Sequence, residues 1–310
     1  MSTISSIADK VACGGAAAAN TGKLGCLSLF GTPEHLLAFK KGTVIPGSTE
    51  FNLAYLEPLI QKGTVVPILG ASAFEDVSAE DTYSTNSSGV KRLNLKGLVE
   101  YSLTFEEGHE FYREIAKLEG YKNFDFMIGD DEGNWMLATR GDGSYRGFTA
   151  GHFTPEMTKR KVAGGDAEMK KLMVQFTERI EFDTNYAILH QAQLDFSPVD
   201  IPSVNGVNLS FTTIPADGET SLSVKACLSG DNNTLVEGLD VANFVYTVDG
   251  STVVPSGVAE SSPGNYTLTV AAIATSEVLV LDLWDGALNV DVTKLGSVLY
   301  RSDELTAVVV

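Results

Sequence analysis

Phe124-Asp125-Phe126-Met127-Ile128, Trp135 to Thr139 and Ser144 to Thr149 are three short apolar-rich runs, parted by Gly129 to Asn134 and by Arg140 to Gly143. Gly, Asp and Asn supply the positive φ angles and local hydrogen bonds of tight turns, so the stretch reads as a β-meander. Just upstream, Phe111, Ile115 and Leu118 recur at i, i+4, i+7. Acidic residues at Glu106 and Glu107 and a capping Gly120 complete the pattern of one amphipathic helix, Glu107 to Leu118.

Before the helix, Leu93-Asn94-Leu95 carries a strand signal, and Val99, Tyr101 and Leu103 alternate with Glu100, Ser102 and Thr104, the period of a half-buried strand. After the meander, Leu172, Val174, Phe176, Ile180 and Phe182 fall on one face of a long strand pattern and Met173, Gln175, Thr177, Arg179 and Glu181 on the other. Glu178 interrupts the apolar face, through either a bulge or a strand that overruns its core. Alternation sends Glu100 and Glu181 away from the face that packs on the helix.

Outward from this block lie less regular parts. Residues 1–30 are small and Gly/Ala-rich, an arm expected to order only against a neighbour. Lys41 to Pro46 is echoed by Lys62 to Pro67, each a Gly turn feeding a brief strand that Pro ends or confines to an edge. Glu75 to Gly89, with Glu75, Asp76, Glu80 and Asp81, reads as a long acidic loop, and Thr154 to Asp166, with Lys159, Arg160 and Lys161, as a basic one.

From Phe196-Ser197-Pro198 onward, turn signals recur at Ala216 to Gly218, Gly230 to Asn233, Asp249-Gly250 and Pro263 to Asn265. The strands between them are Val207 to Thr212, Ser221 to Cys227, Phe244 to Val248, Tyr266 to Ala271, Val278 to Leu283 and Val298 to Tyr300. This texture predicts a β-sandwich over 198–310. The fold class is therefore mainly β (α+β): a 31–197 barrel- or sandwich-like domain with one packed helix, then an immunoglobulin-like sandwich.

The chain has 310 residues, 44% of them hydrophobic, with 22 Lys+Arg against 40 Asp+Glu for a net charge of -18. That charge repels phosphate backbones and anionic lipid. Residues up to 197 carry 19 basic and 26 acidic side chains; the remainder carry 3 and 14. No apolar run reaches membrane-spanning length and no secretory pattern opens the chain, so a soluble protein made in the cytoplasm is expected. Cys13, Cys26 and Cys227 form no CxxC and read as thiols in a reducing compartment.

Catalytic patterns are broken where they begin. His109-Glu110 starts a zinc helix, but Arg113 stands where the second histidine belongs. Gly141 to Gly147 places its last glycine one position late for a dinucleotide loop, and Gly22-Lys23 is followed by Leu24 where a phosphate loop needs Ser or Thr. His35, His109, His152 and His190 lie in separate segments with no paired nucleophile. Asp130 to Asn134 offers oxygen ligands without EF-hand spacing and reads as an acidic hairpin turn. No enzyme activity, cofactor or metal is expected. The basic Lys159-Arg160-Lys161 cluster reads as a solvated loop or as the partner of an acidic neighbouring subunit.

Gly264-Asn265-Tyr266-Thr267-Leu268-Thr269-Val270 resembles the Gly-x-Tyr strand start of bacterial and phage immunoglobulin-like modules. With the arm, acidic loop, single helix and meander before it, the whole order resembles bacteriophage tail tube proteins carrying an added C-terminal immunoglobulin-like domain. The resemblance rests on architecture, without a diagnostic motif. It implies a virion protein assembled in the host cytoplasm into stacked, usually hexameric rings, with other virion proteins as neighbours. DNA would pass without specific binding, no membrane would be involved, and the added domain would decorate the outside.

On that pattern Glu75, Asp76, Glu80, Asp81, Lys159, Arg160 and Lys161 are inter-subunit loop candidates, and Glu100 and Glu181 are candidates for an acidic lumen wall. The 41–67 echo and the large arm do not match the family. Another virion component (capsid, connector or decoration protein) stays in play, as does a surface-binding module whose sandwich recognises carbohydrate or host protein.

Overall fold

A computed structural model of the chain describes residues 3–10, 30–159, 168–229 and 231–309. Most of the arm, with Cys13 and Cys26, lies outside these residues, as do Arg160 and Lys161. The protein is mostly β and divides into two compact units, Met1–Leu56 with Thr64–Ile201, and Glu57–Gly63 with Pro202–Val310.

The first unit opens with α1 (Ile4–Ile7) and β1 (Ala8–Lys10), then β2 (Pro33–Lys40), α2 (Leu53–Gln61, its second half grouped with the other unit), β3 (Val65–Ile68), β4 (Ala73–Asp76), β5 (Thr82–Thr85) and β6 (Lys91–Leu95). It continues with β7 (Val99–Phe105), α3 (His109–Lys117), β8 (Gly120–Tyr121), β9 (Phe124–Asp130), β10 (Trp135–Thr139), β11 (Tyr145–Arg146), β12 (Phe148–Pro155), β13 (Lys170–Phe176), α4 (Arg179–Asp183) and β14 (Tyr186–Leu189).

One antiparallel sheet folds on itself through β12. Phe148 and Thr149 of β12 pair with β9, while its later residues pair with β13 and β8. One half runs β3-β2-β9-β10-β14-β1 and the other β8-β12-β13-β7-β4. Between the halves a core gathers Leu36, Phe126 and Ile128 with Leu103, Phe153, Leu172, Val174 and Phe176. The first half is buried on its other face too, at Leu37, Phe39, Met127, Trp135 and Leu137, which explains its unbroken apolar runs.

The helix α3 lays Phe111, Tyr112, Ile115 and Leu118 on this core, as the i, i+4, i+7 pattern predicts. Its first residue is His109, after Gly108, two positions later than the acidic signal suggests. Tyr112 fastens it: the hydroxyl donates to the carbonyls of Phe105 or Glu168 and accepts the Glu107 N–H.

In this unit four expectations are corrected. The long strand through Glu181 ends at Phe176; Arg179–Asp183 is a helical turn, which leaves Ile180 exposed and buries Glu181. The 75–89 loop is an edge strand, β4, followed by the first strand of a hairpin, β5–β6. Of the echoed segments only the second is a strand, an edge strand in which Pro67 lacks a donor harmlessly; the first makes a single bridge, Ile45 to Tyr145. Residues 3–10 of the arm do not wait for a neighbour, since Ile4 and Ile7 are buried and β1 pairs with β14.

The second unit contains β15 (Val204–Phe211), β16 (Ser221–Leu228), β17 (Asp231–Leu235), β18 (Phe244–Val248), β19 (Ser251–Val253), β20 (Gly257–Ser262), β21 (Asn265–Thr269), β22 (Val278–Leu283), β23 (Thr293–Leu295), β24 (Val298–Ser302) and β25 (Leu305–Val308). One sheet is ordered β20-β21-β16-β15-β24-β23 with β17 beside β16; the other is β19-β18-β22-β25. Val224, Tyr266 and Leu268 of the first pack with Phe244, Tyr246, Leu279 and Leu281 of the second, so the unit is a β-sandwich. The segment read as a turn at 230–233 instead supplies most of β17.

Candidate functional site

The hairpin β5–β6 is exposed at every residue of both strands. Tyr83 stands opposite Leu93 and, across a one-residue slip in register, Thr82 opposite Leu95; Tyr83, Leu93 and Leu95 are 54%, 46% and 67% exposed. Beyond them, Asn86 closes the tip, its side-chain oxygen accepting the N–H groups of Ser88 and Val90. An isolated two-stranded ribbon is marginal in water, and here no described residue buries these apolar side chains.

Its base is tied down. Gly97 passes so close to Ala79 that an added Cβ would stand 1.7 Å from the Ala79 carbonyl oxygen. Asp81 accepts the Gly97 N–H at 2.8 Å and an Arg179 Nη1 hydrogen bond at 3.2 Å. Arg179 also donates to the Gly97 carbonyl, and Lys96 pairs with Asp183 at 2.6 Å. The Lys96 ammonium, followed by Arg179, holds the Asp183 carboxyl below its usual range. Thus α4, absent from the sequence reading, anchors the hairpin; its signal was the i, i+4 pair Arg179–Asp183.

The other inter-subunit candidates are dispersed. Glu75 and Asp76 sit on the edge strand β4, with Glu75 3.7 Å from Lys171 and Asp76 accepting the Ser78 N–H. Glu80 is exposed, Asp81 serves the hairpin base, and Lys159 is exposed on a bridge to Met169.

The two lumen candidates separate. Glu181 is 4% exposed; its carboxylate pairs with Arg146 at 2.5 Å and accepts from Thr149 N and Oγ1. It braces the fold and faces no solvent. Glu100 lies on the open face of the β8-β12-β13-β7-β4 half, opposite Gln175, whose Nε2 donates to it at 3.2 Å. Around that pair Tyr121, His152, Thr154 and Met173 line one shallow depression.

Asp130 is fully buried and accepts four N–H groups, from Gly31, Glu132 and the backbone and side chain of Asn134. It is a turn lock, which leaves no lone pair for calcium. Among the described residues no group of three or more His, Cys, Asp or Glu is placed to hold a metal, and no helix is long and apolar enough to cross a membrane. Neither a protein-family model nor any curated protein matches the chain.

Proposed function

We propose that this chain is a structural protein that assembles with copies of itself, its most specific form being a phage tail tube subunit, and that β5–β6 is the joining element. The observation that carries this reading is the hairpin: Tyr83, Leu93 and Leu95 stand in water on a ribbon without a core of its own, held out by an ion-paired base. Apolar surface of this kind is stabilised when a partner covers it. Lys91 and Arg92 near the tip favour an acidic partner, and a second copy of a chain of charge -18 supplies one.

Virion location, ring formation and neighbouring virion proteins belong to the same proposal through the resemblance. The conduit is its least supported part, because Glu181 is internal and Glu100 is engaged with Gln175. No catalytic role is proposed. Negative-stain electron microscopy of the full chain over a concentration series tests the reading. Rings or tubes are expected; monomers at every concentration and ionic strength contradict it.

A further inference from the structure

The open face around Glu100 carries features that an idle sheet surface does not need. Between Ala150 and His152 the pairing of β12 with β13 slips by one residue, a bulge that re-aims His152. Gly151 sits in this bulge, where an added Cβ would meet Thr177 Cγ2 at 2.6 Å. The turn between β8 and β9 holds Lys122 at φ 57°, a left-handed conformation that is strained for a residue with a Cβ. Its N–H reaches the Gly151 carbonyl at 2.9 Å, so bulge and strained turn are joined. Backbone strain of this kind concentrates where side chains are held for binding.

The side chains so displayed are chemically coherent. Tyr121 is 63% exposed, with the Lys122 ammonium 4.9 Å from its ring centroid. Gln175 donates one amide hydrogen to Glu100 and keeps a second donor and an acceptor, while the Glu100 carboxylate keeps free lone pairs. His152 Nδ1 is hydrogen-bonded to Thr154 Oγ1, which fixes its ring. An aromatic face beside a carboxylate, an amide and an imidazole matches a ligand that alternates C–H surface with hydroxyls able both to donate and to accept. The depression is shallow and polar, which excludes a buried apolar ligand, and Glu100 disfavours phosphate.

From this we infer that the face around Tyr121, Glu100, His152 and Gln175 binds a neutral pyranose saccharide, the Tyr121 ring stacking on the sugar and the planar polar groups holding its hydroxyls. The inference is independent of assembly through the hairpin. It does remove Glu100 from any channel wall.

Saturation-transfer difference spectroscopy on the full chain, with methyl β-glucopyranoside, methyl β-galactopyranoside and N-acetylglucosamine, tests it. Sorbitol serves as the acyclic control. Saturable transfer to at least one pyranoside and none to sorbitol is expected. Tyr121→Ala and Gln175→Ala should each weaken binding about tenfold or more, whereas Ile214→Ala, an exposed apolar side chain of the second unit, should leave it unchanged. Binding on a surface-immobilised glycan array, without transfer to the free glycosides, would place the sugar in a polymer and support the site if Tyr121→Ala abolishes it. No transfer and no array binding, transfer equal for sorbitol, or binding indifferent to Tyr121→Ala each overturns the inference.

Discussion

Two hairpins of the first unit, β9–β10 and β5–β6, are opposites. In β9–β10 the strands are buried on both faces and the turn is locked by a fully buried carboxylate that satisfies four N–H groups. In β5–β6 both strands lie in water, the tip is held by one asparagine, and the ion pairs are all at the base. The difference separates two settings of one motif: β9–β10 is stabilised by burial, whereas β5–β6 leaves both strands in water, as the proposed joining role requires.

The largest break in this comparison is expected at the core hairpin. Asp130→Ala strips a buried acceptor from four donors and should cost at least about 3 kcal/mol, read by urea unfolding. Next comes Glu181→Gln, which leaves Arg146 without its charge partner and should cost about 3 kcal/mol. A loss below about 0.5 kcal/mol, the value for an ordinary surface residue, would return Glu181 to solvent.

Arg179→Ala tests the hairpin base. It should lower stability by only about 1 kcal/mol while raising amide exchange selectively in 82–95, because Arg179 holds both Asp81 and the Gly97 carbonyl. Uniform exchange across the unit would deny the base its anchoring role.

The smallest effect concerns pH. His35 Nδ1 accepts the Gly70 N–H, and burial, only partly offset by Glu34, Asp130 and Asp131, pushes its pKa below the model-compound value of 6.5. The unfolded chain therefore takes up the proton first, so stability is complete above pH 6.5 and declines below it until the lower folded-state pKa is passed. His35→Gln should flatten the slope of unfolding free energy between pH 6.5 and 5; an unchanged slope would assign it to other groups.

The same contrast explains what was legible in the sequence. Phe124 to Thr149 announces itself because apolar runs and Gly/Asp/Asn turns coincide, and Phe244 to Val248 and Val278 to Leu283 are strands with the bounds that reading assigns. In the hairpin only Leu93-Asn94-Leu95 of β6 is legible as strand; β5 was hidden because Thr82, Ser84 and Thr85 carry no apolar alternation, having no core to face. At Arg179–Asp183, Ile180 and Phe182 fit period two as well as one helical turn, and five residues are too few to separate the two. In α2, Pro58 masks a helix begun by Asn52, which accepts the Tyr55 N–H. The face around Glu100 was half legible: alternation places the carboxylate outward, but Tyr121 and His152 arrive there through a strained turn and a bulge, which periodicity does not encode.

Sedimentation velocity on Leu93→Asp/Leu95→Asp beside the unchanged protein tests most directly the proposal that β5–β6 joins copies of this chain. Because both side chains already face water, unfolding free energy should move by no more than about 0.5 kcal/mol. The unchanged protein is expected to form large species as its concentration rises, and the variant to stay monomeric with its fold intact. Assembly of the variant to the same species at the same concentrations would contradict it.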